Sequence, residues 1–443
     1  MSKTAVVLAG GGSRGAYQIG VWKALRELGI EYQLVTGTSV GALNGVLMVQ
    51  GDFEKALQIW ENLSSQDVVG DMLEGKGELD DRQLTRVFAH EALAKGGADI
   101  SALEKFVNSM LDEPLFWKSP VDFALVTVEY PSMKPLELEK KDIPQGMLGE
   151  YLLASAACFP AFQAKEIDGK KYIDGGYHDN MPINLALKMG ADQIIAIDLE
   201  SVGVSRRIKK GDQKIVLIRS LWPLGSFLKF EGQLARRNIQ LGYLDACKAF
   251  NKVDGQMYAF VKDSAFFYTA ALHEAMEELA QQAEQREPKI VSAVQNVVLH
   301  RMLREFRKRS RYMSTPHSFT LSRQMMMAAE YLGEILGVDP QKEYLFGDFL
   351  QLLLQKSEQC REKTVDTEAF HPEHFTDLQR MAEELQKLDR SFLVLLIRQR
   401  IEHFLQGGGS LAELVVVSAF WREFVAAVFL YLLERISFED IIE

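Results

Sequence analysis

The first fifty residues alternate twice between a short apolar run typical of a β-strand and a pattern typical of a helix. The predicted strands are residues 4–8 and 32–36, and the predicted helices are residues 16–28 and 40–49. Later runs predict further strands at residues 123–128, 194–199 and 215–218. Because strands that alternate with helices form parallel sheets covered on both faces, we predict an α/β fold with three α/β/α layers.

From about residue 266 onward the strand signals stop, and apolar residues recur at helical spacing. The first apolar stripe consists of Leu272, Met276, Leu279 and Ala283. The second consists of Leu378, Met381, Leu385, Leu388, Phe392 and Leu395. We therefore predict two domains, an α/β domain at residues 1–265 with a mostly parallel sheet and an α-helical C-terminal domain at residues 266–443.

The most apolar stretch of the chain, residues 411–433, is long enough to raise the question of a membrane span. It contains Glu413, Arg422 and Glu423, and each charge in the middle of a span costs about 2.5–3.5 kcal/mol on insertion scales. We therefore interpret it as a buried core helix. Any contact with a membrane is then expected to be peripheral.

The charge and the cysteine content indicate which binding partners and which cellular compartment to expect. The chain has 50 basic and 61 acidic residues and a formal net charge of −11, which argues against nucleic acid as the main partner. Its three cysteines, Cys158, Cys247 and Cys360, are far apart and show no C-x-x-C spacing, so no disulfide framework or zinc site is expected. The first residues lack the apolar segment of a signal peptide. We expect a cytoplasmic location.

A glycine-rich loop lies between the first predicted strand and the first predicted helix. It consists of Gly10, Gly11, Gly12, Ser13, Arg14 and Gly15. Glycines permit positive φ and let backbone N–H groups face a bound oxyanion. By pattern the loop also matches the G-x-G-x-x-G of a dinucleotide-binding fold.

The residues at the end of the second predicted strand argue against nucleotide binding. A dinucleotide fold expects an acidic residue there to hold a ribose, but Glu31 precedes this strand and none ends it. The glycine loop is also not followed by the Gly-Lys-Ser/Thr of a P-loop. No nucleotide cofactor is expected.

The second motif reads G-x-S-x-G at the end of this strand. Its five residues are Gly37, Thr38, Ser39, Val40 and Gly41. Between an apolar strand and an apolar helix, this pattern is typical of a nucleophile elbow, because the glycines relieve crowding in a tight turn that exposes the serine hydroxyl. A plain glycine-rich turn with a capping serine or threonine remains the alternative for the motif alone.

The third motif, Asp174-Gly175-Gly176, follows the apolar pair Tyr172-Ile173. Alone, an aspartate before two glycines usually marks a turn. Together and in this order, however, the three motifs resemble the patatin-like phospholipases, in which a glycine-rich oxyanion loop with a basic residue, a G-x-S-x-G serine and a D-G-G or D-G-A aspartate form the site. The resemblance covers about residues 3–199, and the later Asn180-Met181-Pro182 looks like the N-x-P of that family.

This resemblance implies a three-layer patatin-like hydrolase domain, with Ser39 as nucleophile and Asp174 as base. The oxyanion region would be the glycine loop, with the backbone around Gly11, Gly12 and Ser13 and with Arg14. The implied activity is hydrolysis of carboxylic esters in phospholipids or related acyl lipids, through an acyl-enzyme on Ser39. The chemistry is coherent in itself, since a carboxylate with a raised pKa can activate a serine without a metal or cofactor.

Several alternatives stay open from the sequence. The enzyme class includes a small-ester esterase or a lysophospholipase, and a second class is a lipid-binding or scaffold protein without activity. His178, four residues after Asp174, is interpreted as a loop histidine rather than a third catalytic residue. The basic run formed by Arg301, Arg304, Arg307, Lys308, Arg309 and Arg311 is interpreted as a solvated helix face rather than a lipid-docking surface. Residues 325–327 and 266–267 are interpreted as core rather than as an acyl pocket.

Overall fold

A computed structural model describes most of the chain. The described residues are 2–70, 82–83, 86–88, 90, 94, 97–209, 211, 213–310, 318–363, 386–408 and 420–438. Within them the chain forms two compact units, Met1–Phe250 and a second unit from Asn251 onward. The three motifs of the sequence analysis all lie in the first unit.

The first unit is built on one eight-stranded sheet. Its strands are β1 Thr4–Leu8, β2 Leu34–Thr38, β3 Asp122–Tyr130, β4 Lys134–Glu139, β5 Lys165–Ile167, β6 Lys170–Asp174, β7 Gln193–Asp198 and β8 Lys214–Arg219. The order is β5-β6-β3-β2-β1-β7-β8, with β4 paired to β3. Strands β1, β2, β3, β7 and β8 run parallel, whereas β4, β5 and β6 pair antiparallel.

Two strands, β2 and β6, pair one after the other along the same edge of β3. Strand β4 pairs with residues 124–129 of β3, so it occupies the opposite edge. On the shared edge, β2 pairs with residues 122–126 and β6 pairs with residues 127–130. Since β6 is antiparallel to β3 and β2 is parallel to it, the carboxyl ends of β2 and β6 meet head to head. Thr38 is opposite Val126, and Asp174 is opposite the next residue, Thr127.

Helices surround the sheet of the first unit. They are α1 Ala16–Glu27, α2 Val40–Gln50, α3 Phe53–Asn62, α4 Ser65–Val69, α5 Ser101–Met110, α6 Glu113–Lys118, α7 Leu148–Ala156, α8 Ile183–Lys188 and α9 Gly232–Ala249. Helix α8 packs against Val7 and Leu34, whereas Gly45 of α2 faces Leu8 and Val35. Successive strand residues point to opposite faces, so the two helices cover opposite faces and the three-layer α/β/α fold is confirmed.

The second unit is mainly helical. Its helices are α10 Phe266–Arg286, α11 Pro288–Ser310, α12 Leu321–Ile335, α13 Phe346–Lys363, α14 Arg390–Leu405 and α15 Trp421–Leu433. The unit also contains a short pair of parallel strands, β9 Ala259–Phe260 and β10 Glu343–Tyr344. The carboxylate of the buried Glu330 accepts hydrogen bonds from three successive N–H groups, those of residues 256–258. Residues 251–265, placed in the first domain by the sequence analysis, lie in this unit.

The side chains singled out in the C-terminal part divide between core and surface. Met325, Met326 and Met327 are buried, as expected for core residues. The core interpretation is wrong for Phe266 and Phe267, because they begin α10 and are 70% and 67% exposed. Of the basic run, Arg304, Arg307 and Lys308 are exposed on α11, and Arg311 lies outside the described residues.

The remaining C-terminal expectations concern one stripe and one apolar stretch. Leu378, Met381 and Leu385 also lie outside the described part, and α14 begins only at Arg390, with Asp389 as its N-cap. Residues 420–433 of the most apolar stretch are described, and its helix α15 is largely buried. Among the described helices, none is both long and apolar enough to cross a bilayer.

Candidate active site

Ser39 lies in the tight turn between β2 and α2, and its backbone is strained. Its φ of 55° and ψ of −131° are unusual for a residue with a side chain. The flanking glycines make this turn possible. A Cβ on Gly37 would lie 2.3 Å from the carbonyl oxygen of Gly41, and one on Gly41 would lie 2.3 Å from that of Leu8. The G-x-S-x-G pattern therefore forms the strained elbow that it predicts.

Three hydrogen bonds fix this elbow. The N–H of Ser39 donates to the hydroxyl of Ser155 at 3.0 Å, and that hydroxyl donates to the carbonyl of Val126 at 2.7 Å. The buried hydroxyl of Thr38 donates to the carbonyl of Asp179 at 2.8 Å. Ser155 on α7 is a site residue that the sequence analysis did not identify, because its segment carries no local motif.

Asp174 is the last residue of β6 and faces Ser39. The hydroxyl of Ser39 is close enough to the carboxylate of Asp174 to lower its pKa, and the carboxylate accepts a hydrogen bond from the N–H of Gly176 at 2.7 Å. The contact follows from the shared edge of β3, where the ends of β2 and β6 meet. Gly175 completes the turn, since a Cβ there would lie 2.1 Å from the carbonyl oxygen of Val126.

Burial sets the proton affinity of Asp174. Its side chain is 5% exposed, and desolvation raises its pKa to about 6, although the hydroxyl of Ser39 and the N–H of Gly176 act in the opposite direction. The carboxyl is then ionised at neutral pH, yet basic enough to take a proton from a serine hydroxyl during attack. This is the pKa that a general base near neutral pH requires.

Some backbone N–H groups of the glycine loop form hydrogen bonds to backbone carbonyls, whereas others belong to residues that line the cavity. The N–H of Gly10 donates to the carbonyl of Asn180 at 3.0 Å, and that of Ser13 donates to the carbonyl of Phe227 at 3.0 Å. The N–H of Arg14 donates to the carbonyl of Gly11 at 3.2 Å. No hydrogen bond from the N–H of Gly11 or Gly12 to another described residue is present, and both glycines line the cavity.

The side chains of the loop have structural partners. The guanidinium of Arg14 donates to the carbonyls of Gly225 at 2.9 Å, Leu199 at 3.2 Å and Glu200 at 2.9 Å. The hydroxyl of Ser13 donates to the carbonyl of Ser226 at 2.7 Å. Gly15 is enclosed, since a Cβ on it would lie 2.5 Å from Val40 and 2.8 Å from the ring of Trp60. Within the loop, Gly11 and Gly12 are therefore the candidate oxyanion donors, and Arg14 joins the loop to its neighbours.

Ser39, Asp174, Gly11 and Gly12 all line one cavity of about 490 Å³. Most of its other lining side chains are apolar. They include Val40, Leu43, Trp60, Leu63, Val68, Val69, Leu103, Phe106, Phe162, Phe227, Leu228 and Phe230. A cavity of this size with a few convergent polar groups is typical of a small-molecule site. Its apolar walls suit an acyl chain.

Cys158 lines the same cavity and was not singled out as a site residue by the sequence analysis. Burial, together with the charge of Asp174, raises the pKa of its thiol to about 12. A thiol with that pKa is protonated at neutral pH and is a poor nucleophile. Ser39 is therefore the better placed nucleophile of the two.

His178 is directed toward Arg206 and is not among the cavity-lining residues. Its Nε2 lies 2.8 Å from Nη1 of Arg206, and burial and the charge of Arg206 lower the pKa of the ring. Next to it, the buried Asp179 has a pKa raised to about 7 by desolvation. Within the described residues, no cluster of three or more His, Cys, Asp or Glu side chains could hold a metal ion.

Comparison with known proteins finds similarity in the first part of the chain. Residues 6–187 match the family model described as patatin-like phospholipase. The patatin-like phospholipase domain-containing protein ZK370.4 of Caenorhabditis elegans is 28% identical over 227 residues, which are 50% of this chain and 15% of that protein. Lysophospholipase nte1 of Aspergillus terreus is 28% identical over 197 residues, which are 44% of this chain and 12% of that protein.

These relatives are far longer than the segment they share with this chain, which spans about 12–15% of their length. Among solved structures, VipD from Legionella pneumophila covers 97% of this chain and 90% of its own, at 14% identity and a TM-score of 0.31. A score that low supports no inference about function. The family match and the site geometry both concern the first unit.

Proposed function

We propose, from the patatin-like phospholipase domain of residues 6–187, that this chain is a serine acyl hydrolase for carboxylic esters of phospholipids or related acyl lipids. The observation that carries the proposal is the juxtaposition of Ser39 and Asp174 where β2 and β6 meet, since both residues line one largely apolar cavity. An apolar cavity favours a substrate with a hydrocarbon chain. A strained serine beside a carboxylate of raised pKa favours nucleophilic catalysis.

In the proposed first half-reaction, Oγ of Ser39 attacks the ester carbonyl carbon while its proton passes to the carboxylate of Asp174. The carbonyl oxygen becomes an oxyanion, for which the N–H groups of Gly11 and Gly12 are the proposed donors. Collapse of the tetrahedral intermediate breaks the bond to the alcohol oxygen, which takes the proton from Asp174. The alcohol leaves, and the acyl group remains on Ser39.

In the second half-reaction, water replaces the alcohol. Asp174 takes a proton from the water as its oxygen attacks the acyl carbon, and the same N–H groups stabilise the second oxyanion. Collapse returns the proton to Oγ of Ser39 and releases a carboxylic acid. The balance is one ester and one water converted into one alcohol and one acid, with no cofactor required.

Release of fatty acid tests the proposal directly. The purified chain is incubated with micellar phosphatidylcholine, with a lysophospholipid and with a soluble short-chain ester, and the acids are measured by mass spectrometry. We expect the wild type to release acid from at least one acyl lipid, and Ser39→Ala to release none above background. Turnover of the short ester alone would indicate a small-ester esterase, and equal release by both proteins would refute the proposal.

The extent of the catalytic part is also proposed. We place it within residues 1–265, because every residue assigned a chemical role lies before Leu199. The C-terminal helices carry none of the proposed chemistry. A folded truncation to residues 1–265 should therefore react with a fluorophosphonate. Cytoplasmic location with peripheral membrane contact is part of the same proposal, and fractionation of cells that express the full chain tests it.

A further inference from the structure

The loop that follows β7 presents apolar and basic side chains at the rim of the cavity. We name residues 201–209 the rim loop. We propose that the rim loop docks the first unit onto the surface of an anionic lipid bilayer. This inference rests on the proposed function for its substrate, and it names a surface that the catalytic residues do not include.

Two valines of the rim loop are exposed. The side chain of Val202 is 93% exposed and that of Val204 is 47% exposed, and both line the cavity that contains Ser39. Tyr177 and Phe227, which line the same cavity, are 41% and 38% exposed. Single exposed apolar residues are ordinary on protein surfaces. Four of them around one substrate cavity form an apolar rim that a bilayer would remove from water.

Hydrogen bonds hold the rim loop in its exposed position. The N–H of Val204 donates to the carbonyl of Gly176 at 2.8 Å, and its carbonyl accepts from the N–H of Asn180 at 2.9 Å. Further along, the side chain of Asn184 donates to the carbonyl of Arg207 at 3.2 Å and accepts from the N–H of Lys209 at 2.9 Å. The backbone of the loop is thus fixed to the turn that contains the proposed base. Docking would require little ordering of this segment.

Three cations follow the exposed valines. Arg206, Arg207 and Lys209 are all exposed, and Arg206 contacts the ring of His178. The acids that surround the loop have partners of their own. Asp198 and Glu200 both pair with Arg219, and Glu137 pairs with Lys188 at 3.1 Å. Asp179 interacts electrostatically with Arg206, so Arg207 and Lys209 are the cations of the rim loop that we assign to the anionic surface.

A bilayer fits this combination better than a soluble anion does. The chain carries a net charge of −11, so an anionic surface would repel it except where cations are concentrated. Basic residues next to exposed apolar side chains are the pattern that binds anionic headgroups and the acyl boundary together. With the rim loop on a bilayer, the cavity would open toward the lipids. An acyl chain could then enter without crossing water.

Vesicle binding measures the proposed docking. Flotation uses the Ser39→Ala chain, so that no lipid is consumed, with phosphatidylcholine vesicles and with vesicles of phosphatidylcholine and phosphatidylserine in about equal amounts. We expect binding to the anionic vesicles only, with loss at high salt. Arg207→Glu with Lys209→Glu should weaken this binding by about tenfold or more, because both substitutions reverse a charge at the surface. Val202→Asp should also weaken it.

The matched control reverses two charges near the amino ends of two strands, whereas the rim loop follows the carboxyl end of β7. Lys118 lies just before β3 and Lys214 begins β8, and both are exposed. Lys118→Glu with Lys214→Glu changes the net charge equally and should bind like the parent. Equal loss in both double variants would indicate an effect of net charge alone and would overturn the proposal. So would unchanged binding of the Arg207→Glu, Lys209→Glu chain, or no binding of the parent.

A soluble ester separates this inference from the proposed function. With Ser39 present, Arg207→Glu with Lys209→Glu should hydrolyse a monomeric short-chain ester like the wild type and release less acid from anionic vesicles. If the wild type hydrolyses no ester, the proposed function fails while the flotation result still decides the docking. The charge-neutral pair Arg207→Gln with Lys209→Gln serves if the reversed pair does not fold. Binding to soluble polyanions in preference to vesicles would contradict a bilayer partner.

Discussion

Ser39 directly follows β2 and Asp174 ends β6, and these two strands run toward each other along the same edge of β3. The register brings Thr38 opposite Val126 and Asp174 opposite Thr127, and Ser39 and Asp174 line the same cavity. A parallel and an antiparallel strand are needed for this meeting, since two parallel strands cannot end head to head. The antiparallel strand β6 therefore brings the proposed base next to the proposed nucleophile.

Hydrolysis should depend on the ionisation of Asp174. The carboxyl accepts a proton only when it is ionised, and burial raises its pKa to about 6. We therefore expect kcat/KM for a soluble ester to be constant above pH 7 and to fall about tenfold for each pH unit below about 6. A pH–rate profile of the full chain checks this. A profile still flat at about pH 5 would show that the base is another group.

Replacement of Asp174 should remove activity and increase stability. A folded-state pKa of about 6, above the ordinary value for an aspartate, means that the stability contributed by this group is present at low pH and is lost as the pH rises through about 6. A shift of that size corresponds to about 3 kcal/mol at most. Asp174→Asn carries no charge, so it should be more stable than the wild type at pH 8 and equal near pH 4.

Urea unfolding of both proteins at the two pH values measures this difference. The substitution keeps an oxygen that can accept from Gly176, so no other large change is expected. A variant less stable than the wild type at pH 8 would show that the ionised carboxylate stabilises the fold, and that burial does not dominate its pKa.

Gly12 should be essential for activity through its lack of a side chain. Its φ is 55°, and a Cβ on it would lie 2.1 Å from the carbonyl oxygen of Phe227. Gly12→Ala should therefore displace the loop that carries the proposed oxyanion donors. We expect kcat to fall about 10²-fold, the loss typical of one oxyanion donor.

Gly29 provides the matched control. It also has a positive φ, 66°, but nothing lies within 4 Å of an added Cβ. Gly29→Ala should cost about 1 kcal/mol of stability and leave kcat unchanged. Equal kcat in the two variants would remove the oxyanion role from this part of the loop.

His178 should be dispensable. Its ring contacts Arg206, and it is not among the residues that line the cavity. We expect His178→Ala to change kcat/KM by less than about threefold, because no proton transfer depends on the ring. Steady-state kinetics checks this, with folding followed by circular dichroism. Loss of activity as complete as in Asp174→Asn would replace the proposed dyad with a triad.

Sequence predicted the parts of the fold whose signal is local. The apolar strands β1, β2, β3, β7 and β8 were predicted within two residues at each end, because buried parallel strands are continuous apolar runs. Strands β4 and β5 were not predicted, because apolar and charged residues alternate in β4 and β5 is only three residues long. The head-to-head meeting of β2 and β6 depends on pairing between distant segments, which no local pattern encodes.

The candidate active site likewise contains residues that local patterns predict and residues that only distant packing brings together. The turn around Ser39 was predictable because glycine spacing directly reflects a steric need. The positions of Ser155 and Cys158 were not, since both face the site only through the packing of α7 and the segment after it. Arg14 belongs to a motif, yet its three carbonyl partners lie about 185 to 211 residues away in the chain. The motif alone therefore did not show where its guanidinium is directed.

Covalent labelling with a fluorophosphonate tests the central claim, that Ser39 is a nucleophile activated by Asp174. The full chain is treated at neutral pH, and the modified peptide is identified by mass spectrometry in the wild type, Ser39→Ala and Asp174→Asn. We predict one adduct, on Ser39, in the wild type, none in Ser39→Ala, and labelling slowed by about 10²-fold or more in Asp174→Asn. An adduct on another residue such as Cys158, or equal labelling rates in the wild type and Asp174→Asn, would contradict the account.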